Sequence, residues 1–350
     1  MNITIEKKNF EKLNIEPLKA KCGQALDAIW RTDWLNFAIT KRDRQNLTEL
    51  TAWAEKFAAQ SDIVVVLADG LLAKLISAAV SASVPQEEKT ELLIFGDTLS
   101  PADYAELFSK LKNRSFSLLA AADEEESLQL RGAYVTLKQL LISSVGKEAA
   151  AERIFVIAGP KSRFFAEEAA SEDLPLISNP DFPAAFAANT AAVLLPLAIK
   201  GVNLGEYLDG FYEMLASPAW DLDAVDYAVG KAACTDEEIL QTWQRQLAGI
   251  IELQGRGAVL PAGKTAGKGP AFETLLLIEK DSRDVMMPYF EGCNEDGSLN
   301  LLLTDTAHKY FDNENPGVKL SIESMNDYNL GQLLGFFQLS GGIYQILSMY

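Results

Sequence analysis

Histidine is almost missing from this chain: the 350 residues hold one, His308. A metal centre built from several histidines is therefore excluded. Cysteine is nearly as scarce. Cys22, Cys234 and Cys293 are odd in number, lie far apart and form no CxxC pair. Neither a disulfide framework nor a zinc site follows, no cofactor is implied, and a reducing cytoplasm fits best. Positive charge is short as well, with 31 Lys and Arg against 49 Asp and Glu and a net charge of −18. That balance argues against nucleic acid and anionic membrane surfaces as partners. It also disfavours an anionic ligand unless a site is locally basic. Long apolar runs are lacking. The N-terminal MNITIEKKNFEKLN has no apolar signal core. The uncharged stretch Tyr328–Tyr350 reaches membrane length, but Gly331, Gly335, Gly341, Gly342 and its glutamines interrupt it. It reads as a buried core or interface helix.

What is present is the composition of a soluble globular protein, 48% hydrophobic and 23% charged, long enough for two domains. Residues 1 to about 60 read as helical, with apolar residues at helical spacing in Leu18–Phe37 and Leu47–Ala58. Then strands alternate with helices. SDIVVVLADG (Ser61–Gly70) is a buried strand turning into a helix at Leu71–Ala82. TELLIFGDTLS (Thr90–Ser100) precedes a helix opened by Ser100-Pro101 and running through Leu111. Phe116–Ala121 leads to a helix at Leu128–Ser143, RIFVIAG (Arg153–Gly159) is a fourth strand, and DLPLIS (Asp173–Ser178) a short fifth. This alternation predicts a parallel sheet covered on both faces. Beyond it lie helices at Ala184–Ile199, Gly205–Ala216 and Thr235 to about Ala248. Strand-like runs follow at Ala258–Gly263, Phe272–Glu279 and Val285–Phe290, then a helix at Leu299–Phe311, a strand at Val318–Ser324 and a last helix from Leu330. The predicted domains are a helical extension (1–60), a first α/β domain (61–204) and a smaller, more irregular second one (205–350).

Between the third strand and its helix stand four consecutive acids, Asp123, Glu124, Glu125 and Glu126, followed by Ser127. In α/β proteins this position holds ligands, especially phosphates, on exposed backbone N–H groups. Here the location indicates a site and the charge excludes a phosphate. The plain alternative is electrostatic, since acids in a first helical turn gain roughly 0.3–1 kcal/mol each from the macrodipole. Gly159-Pro160-Lys161-Ser162-Arg163 is a small basic loop that meets either an anion or the neighbouring acidic loop. Ala258–Thr265 imitates a phosphate loop, but Gly267, Gly269 and Pro270 follow where that loop needs a helix. His308, in an amphipathic stretch, reads as a satisfied surface or core histidine, and the five tryptophans, Trp30, Trp34, Trp53, Trp220 and Trp243, read as packing residues.

Several stretches in one order resemble bacterial glucose-6-phosphate isomerase, a family of two sugar-isomerase (SIS) domains, over most of the chain from about Leu47. FSLLAAADEEESLQLRGAYVTLKQLL is similar without a gap to the family's FS-strand, SKSGTTTEP loop and following helix. VGKEAAAERIFVIAG, PDFPAAFAANTAAVLLPLAIKGVNLGEYLDG, LQTWQRQLAG, FETLLLIEKDSRDVMMP and NLGQLLGFFQLSGGIYQ match further framework segments. The resemblance implies an α/β fold of two SIS-type domains, each a parallel-rich sheet flanked by helices in a flavodoxin-like three-layer arrangement, with a helical N-terminal extension. It also implies a homodimer and a small-molecule ligand. The departures fall on the family's functional positions. Its phosphate-holding hydroxyls become Glu124, Glu126 and Leu128, with Ser127 keeping an OH, and its loop lysine becomes Asp123. Its glycine-rich turn becomes LADGL, keeping Gly70 beside Asp69. Its Gly-Gly-Arg-Phe-Ser becomes Ala184, Ala185, Phe186, Ala187 and Ala188, removing the arginine expected to stabilise an enediolate. Its catalytic glutamate falls near Ile250, with Glu252 two residues off. The segment with the ring-opening histidine is missing between Ala262 and Phe272, and Tyr350 precedes the block holding the catalytic lysine.

Aldose–ketose interconversion needs a base, ring-opening acid–base help and positive charge for an oxyanion. Those losses predict an isomerase-fold protein without the isomerase reaction. Two further readings stand beside it. One is an active sugar-phosphate isomerase with displaced groups and Glu252 as base. The other is a non-catalytic ligand-binding or regulatory module taking a neutral or cationic ligand beside Asp69, Gly70 and the Asp123–Ser127 loop.

Overall fold

The computed structural model describes residues 3–31, 45–84, 90–181, 184–216, 218–233, 272–280, 284–286, 297–311 and 314–348. In chain order the elements are β1 (Ile3–Lys8), α1 (Glu16–Arg31), α2 (Gln45–Gln60), β2 (Ile63–Leu67), α3 (Gly70–Ala82), β3 (Glu91–Phe95), α4 (Pro101–Leu111), β4 (Phe116–Ala122), α5 (Leu128–Val145) and α6 (Lys147–Ala151). They continue with β5 (Ile154–Ala158), α7 (Arg163–Glu172), β6 (Leu176–Ser178), a 3-10 turn (Ala184–Phe186), α8 (Ala191–Ile199), α9 (Leu204–Ala216) and α10 (Pro218–Ala232). The last are β7 (Glu273–Ile278), α11 (Leu299–Phe311), β8 (Gly317–Ile322) and α12 (Asp327–Ser348). Two compact units emerge, one of Lys41–Gly205 and one of Met1–Thr40 with Glu206–Tyr350.

In the contiguous unit the five strands run parallel in the order β3-β2-β4-β5-β6. Strands β2, β4 and β5 are buried at every position, as expected of strands covered on both faces. One face packs Val65, Leu118, Val156 and their row neighbours against Leu107 of α4, Tyr134 and Leu137 of α5 and Phe165 of α7. On the other face Trp53 of α2 packs against Phe155 of β5, the ring centroids 4.6 Å apart and the planes tilted by 52°. Burying one aromatic or branched side chain this way stabilises by about 1.5–3 kcal/mol. This strand order reverses direction between β2 and β4. In sheets of this kind that switch point, at the carboxyl ends of the strands, is where ligands bind.

In the other unit β8 is central. It pairs parallel with β7 and antiparallel with β1, Ile3 facing Ile322. α12 is buried almost all round, from Asn329 to Tyr344. Gly331 and Gly210 let α12 and α9 cross in backbone contact, at the carbonyls of Tyr207 and Tyr328. Tyr227 of α10 hydrogen-bonds Thr274 of β7 at 3.0 Å.

The segment expected to be helical from residue 1 begins as a strand instead. ITIEKK is half-exposed and gains its ladder from β8, a partner no local pattern reveals. The single helix expected over Ala184–Ile199 is also broken. A 3-10 turn ends at Phe186, and a separate α8 begins after Thr190, whose hydroxyl donates back to the Ala187 carbonyl. α7 and α10 were not anticipated. Of the run Val285–Phe290, Met286 forms an isolated bridge to Ser298 rather than a strand, and 287–290 lie outside the described residues. The helix expected at Thr235–Ala248, the strand at Ala258–Gly263 and the phosphate-loop mimic also lie outside them, as do Cys234, Cys293, Trp34 and Trp243. The side chains of His308, Trp30 and Trp220 lie outside too. No helix among the described residues is long and apolar enough to cross a membrane.

Candidate functional site

The carboxyl ends of β2, β4 and β5 carry the loops singled out in the sequence. Their close approach depends on Gly159. Its N–H donates to the Ala122 carbonyl at 2.8 Å. A Cβ there would stand 2.6 Å from the Asp123 carbonyl, so glycine lets the exits of β4 and β5 run side by side. The acidic loop and the basic loop consequently interlock.

The four acids do not converge on one point, although Glu125 and Glu126 share Arg131, at 3.2 and 3.9 Å. Asp123 is 4% exposed. Its Oδ1 accepts from Asn179 Nδ2 at 2.7 Å, while Oδ2 is buried with no partner among the described residues. Burial pushes the Asp123 carboxyl up to about 6 against the opposing Asn179 bond, and Glu124 adds to the rise. Glu124, exposed, pairs with Lys161 at 3.2 Å, and Lys161 also meets Asp181 at 3.4 Å. Glu125, exposed, pairs with Arg131 at 3.2 Å. Glu126 turns inward, and its side chain is wholly buried. It accepts from Ser162 Oγ, from Phe165 N at 3.0 Å and from Phe164 N at 3.3 Å. Those donors belong to the start of α7, so Glu126 caps a neighbouring helix.

Ser127 is the N-cap of α5, its hydroxyl accepting from Leu130 N at 3.1 Å. The acids therefore precede α5, and its first turn carries none. The first-turn explanation offered by the sequence fails for this helix. The backbone N–H of Ser127 donates to Asp69 Oδ2 at 3.2 Å. Asp69 ends the β2 exit, and Gly70 opens α3 at φ +56, a conformation that suits glycine. Gly70 N in turn donates to Asp97 Oδ1 at 2.7 Å.

A relay appears along the sheet edge. Asp97, after β3, serves α3, which follows β2. Asp69, after β2, serves α5, which follows β4. Glu126, after β4, serves α7, which follows β5. Each loop lends a carboxylate to the helix of the next strand. The N-termini that would attract an outside anion already hold the protein's own. Asp69 performs this at the β2/β4 switch point itself.

The structure brings Asp69 together with Ser127, and Glu124 and Glu126 with the Lys161–Phe165 segment. The positions of Phe186, Ala187 and Ala188 are fully buried and apolar, so no cation stands there. Glu252 lies outside the described residues. Ser162 belongs to the basic loop that the sequence set against the acidic one, whereas Asp97 and Asn179 were not foreseen. The only sequence signal of those two is position, one or two residues past a strand end. Among the described residues no group of three or more His, Cys, Asp or Glu could hold a metal ion.

These features define a class first: an α/β chain whose SIS-type parallel sheet presents a self-capped carboxyl edge. No family model matches the chain. Curated relatives do. The glucose-6-phosphate isomerase of Clostridium tetani is 24% identical over 363 residues, 89% of this chain and 80% of its own length. That of Streptococcus mutans is 24% identical over 366 residues, 89% and 81%. A hypothetical protein of Thermus thermophilus shares the fold, with TM-score 0.76 and 16% identity over 98% of this chain and 94% of that one. The glucose-6-phosphate isomerase of Chlamydia trachomatis superposes with TM-score 0.65 and 12% identity over 99% and 84%. The chain is similar to the glucose-6-phosphate isomerases along about nine-tenths of its length.

Proposed function

We propose that this chain keeps the isomerase fold without the isomerase reaction, as a cytoplasmic protein with an interaction or regulatory task. The observation that carries this reading is the Asp69 carboxylate on the Ser127 N–H. It stands at the N-terminus of α5, where the resemblance implies the sugar phosphate. A phosphate arriving there meets a fixed negative charge. Each unit-charge repulsion at 4 Å costs about 1 kcal/mol in water and about 4 at an effective dielectric of 20. Glu124 and Glu125 stand exposed on the same loop, each paired with one cation, Lys161 and Arg131.

A coupled assay of glucose 6-phosphate and fructose 6-phosphate interconversion tests this directly. The expected result is turnover at the no-protein background and no thermal shift with glucose 6-phosphate. Turnover at enzyme-like rates overturns the reading. The same exposed acids favour a second reading, a binding module for a neutral or cationic ligand. A thermal-shift screen of amines, divalent cations and neutral sugars separates the two, and a concentration-dependent rise in stability selects the binding module. The resemblance also supports a homodimer, which sedimentation of the purified chain checks.

A further inference from the structure

The relay uses Asp97, Asp69 and Glu126 but leaves Asp123 aside. Asp123 and Asn179 end β4 and β6, two strands that are not neighbours, because β5 lies between them. They meet over the end of β5, where Gly159 carries no side chain. Two buried atoms of this joined pair have no partner among the described residues, Asp123 Oδ2 and Asn179 Oδ1. Both accept hydrogen bonds, and in a buried place an unmet acceptor is costly. One proton on the acid can meet both needs. Asn179 Nδ2 already donates to Oδ1 of the acid, and a protonated Oδ2 can donate back to the amide oxygen. The result is the cyclic pairing of a carboxylic acid with a primary amide.

We propose that Asp123 and Asn179 form a proton-operated latch, closed while Asp123 is neutral, that holds the edge strand β6 to the end of β4. β6 is three residues long and, among the described residues, pairs with β5 alone. Its last ladder bond is Asn179 N to the Ala158 carbonyl at 2.9 Å. The charged groups around the latch are Glu124 on its own loop, Lys161 on the β5 loop and Asp181 beyond β6. Lys161 is engaged by Glu124 and Asp181, so it is not the counter-charge of an ionised Asp123. Thr190, at the start of α8, accepts from Asn179 at 3.4 Å and is uncharged.

The sign follows from linkage. With the carboxyl near 6 when buried and near 3.8 when freed, the closed latch weakens about tenfold from pH 5 to pH 8. Hydrogen exchange of the intact chain, corrected for the intrinsic rate, reads this at peptides covering Leu176–Asn179. Their protection is expected to fall about tenfold across that window. Asp123→Asn mimics the neutral acid and is expected to stay protected at both pH values. Equal protection of the wild type at pH 5 and pH 8 overturns the proposal, and so does a variant with the wild-type pH dependence. Should the variant fail to fold, carboxyl NMR of labelled aspartate in the wild type decides. A resonance titrating near 6 supports the latch, and titration of every aspartate near the ordinary value of about 3.9 overturns it.

Discussion

Glu126 is the sharpest test of whether the acidic loop is held by the fold or set out for a ligand. In the structure its wholly buried carboxylate serves three donors of α7: Ser162 Oγ, Phe164 N and Phe165 N. Glu126→Ala removes all three bonds and leaves those donors facing a void. Hydrogen bonds to a charged group contribute about 1.5–3 kcal/mol each, and a buried unsatisfied donor costs about 1–3. The Ser162 hydroxyl can turn to another acceptor, and water entering the vacated space recovers part of the loss. A net destabilisation of roughly 3–5 kcal/mol remains, well above the ~1 kcal/mol of an exposed cap. Glu126→Gln keeps one acceptor but turns an NH2 toward a backbone N–H, so about half that loss is expected. Glu124→Ala is the control. Its pair with Lys161 is exposed, and such pairs are worth about 0–1 kcal/mol. Urea unfolding followed by far-UV circular dichroism supplies the three values. The reasoning is refuted if Glu126→Ala costs no more than Glu124→Ala, because Glu126 would then be a surface charge.

Asp123 is raised to about 6 from 3.8 in the folded protein. Its contribution is therefore fully present below about pH 4 and is lost as pH rises through 6, by about 3 kcal/mol in all. Asp123→Asn should flatten that slope in a pH series of thermal unfolding. Gly331→Ala places a methyl against the Tyr207 carbonyl where α9 and α12 cross. It should cost roughly 1–3 kcal/mol by calorimetry. Gly132→Ala meets nothing within 4 Å inside α5 and should instead stabilise by about 0.5–1 kcal/mol.

The parallel sheet was legible because β2, β4 and β5 are short, almost wholly apolar runs bounded by turn residues, a signal contained in each segment. Helix starts were legible where one residue does the capping, as Ser100 does for Asp103 N and Ser127 for Leu130 N. The strand β1 was not legible. Its alternation is imperfect and its partner lies at the other end of the chain. The site was half legible. That acids occupy the β4 exit is plain in the sequence, and the pairing of the acidic and basic loops was one of two stated outcomes. Where each carboxylate points depends on strand adjacency, and no spacing within the run encodes it. Glu126 and Glu125 are identical residues side by side, yet one is buried under α7 and the other faces water. α7 and α10 were missed although SRFFAEEAASE and PAWDLDAVDYAVGKA both carry helical spacing, so the signal was present and unread.

The pairing of Ile3 with Ile322 sets a schedule for synthesis. The unit of Lys41–Gly205 is one continuous piece and can fold as it leaves the ribosome. The strand β1 is made first and must wait for β8. At about 5–20 residues per second that wait is on the order of 15 seconds to a minute. During it, an unpaired edge would be open to the wrong partner. The charges of Glu6, Lys7 and Lys8, spread over half of its six residues, suit a strand that spends its first moments alone in water.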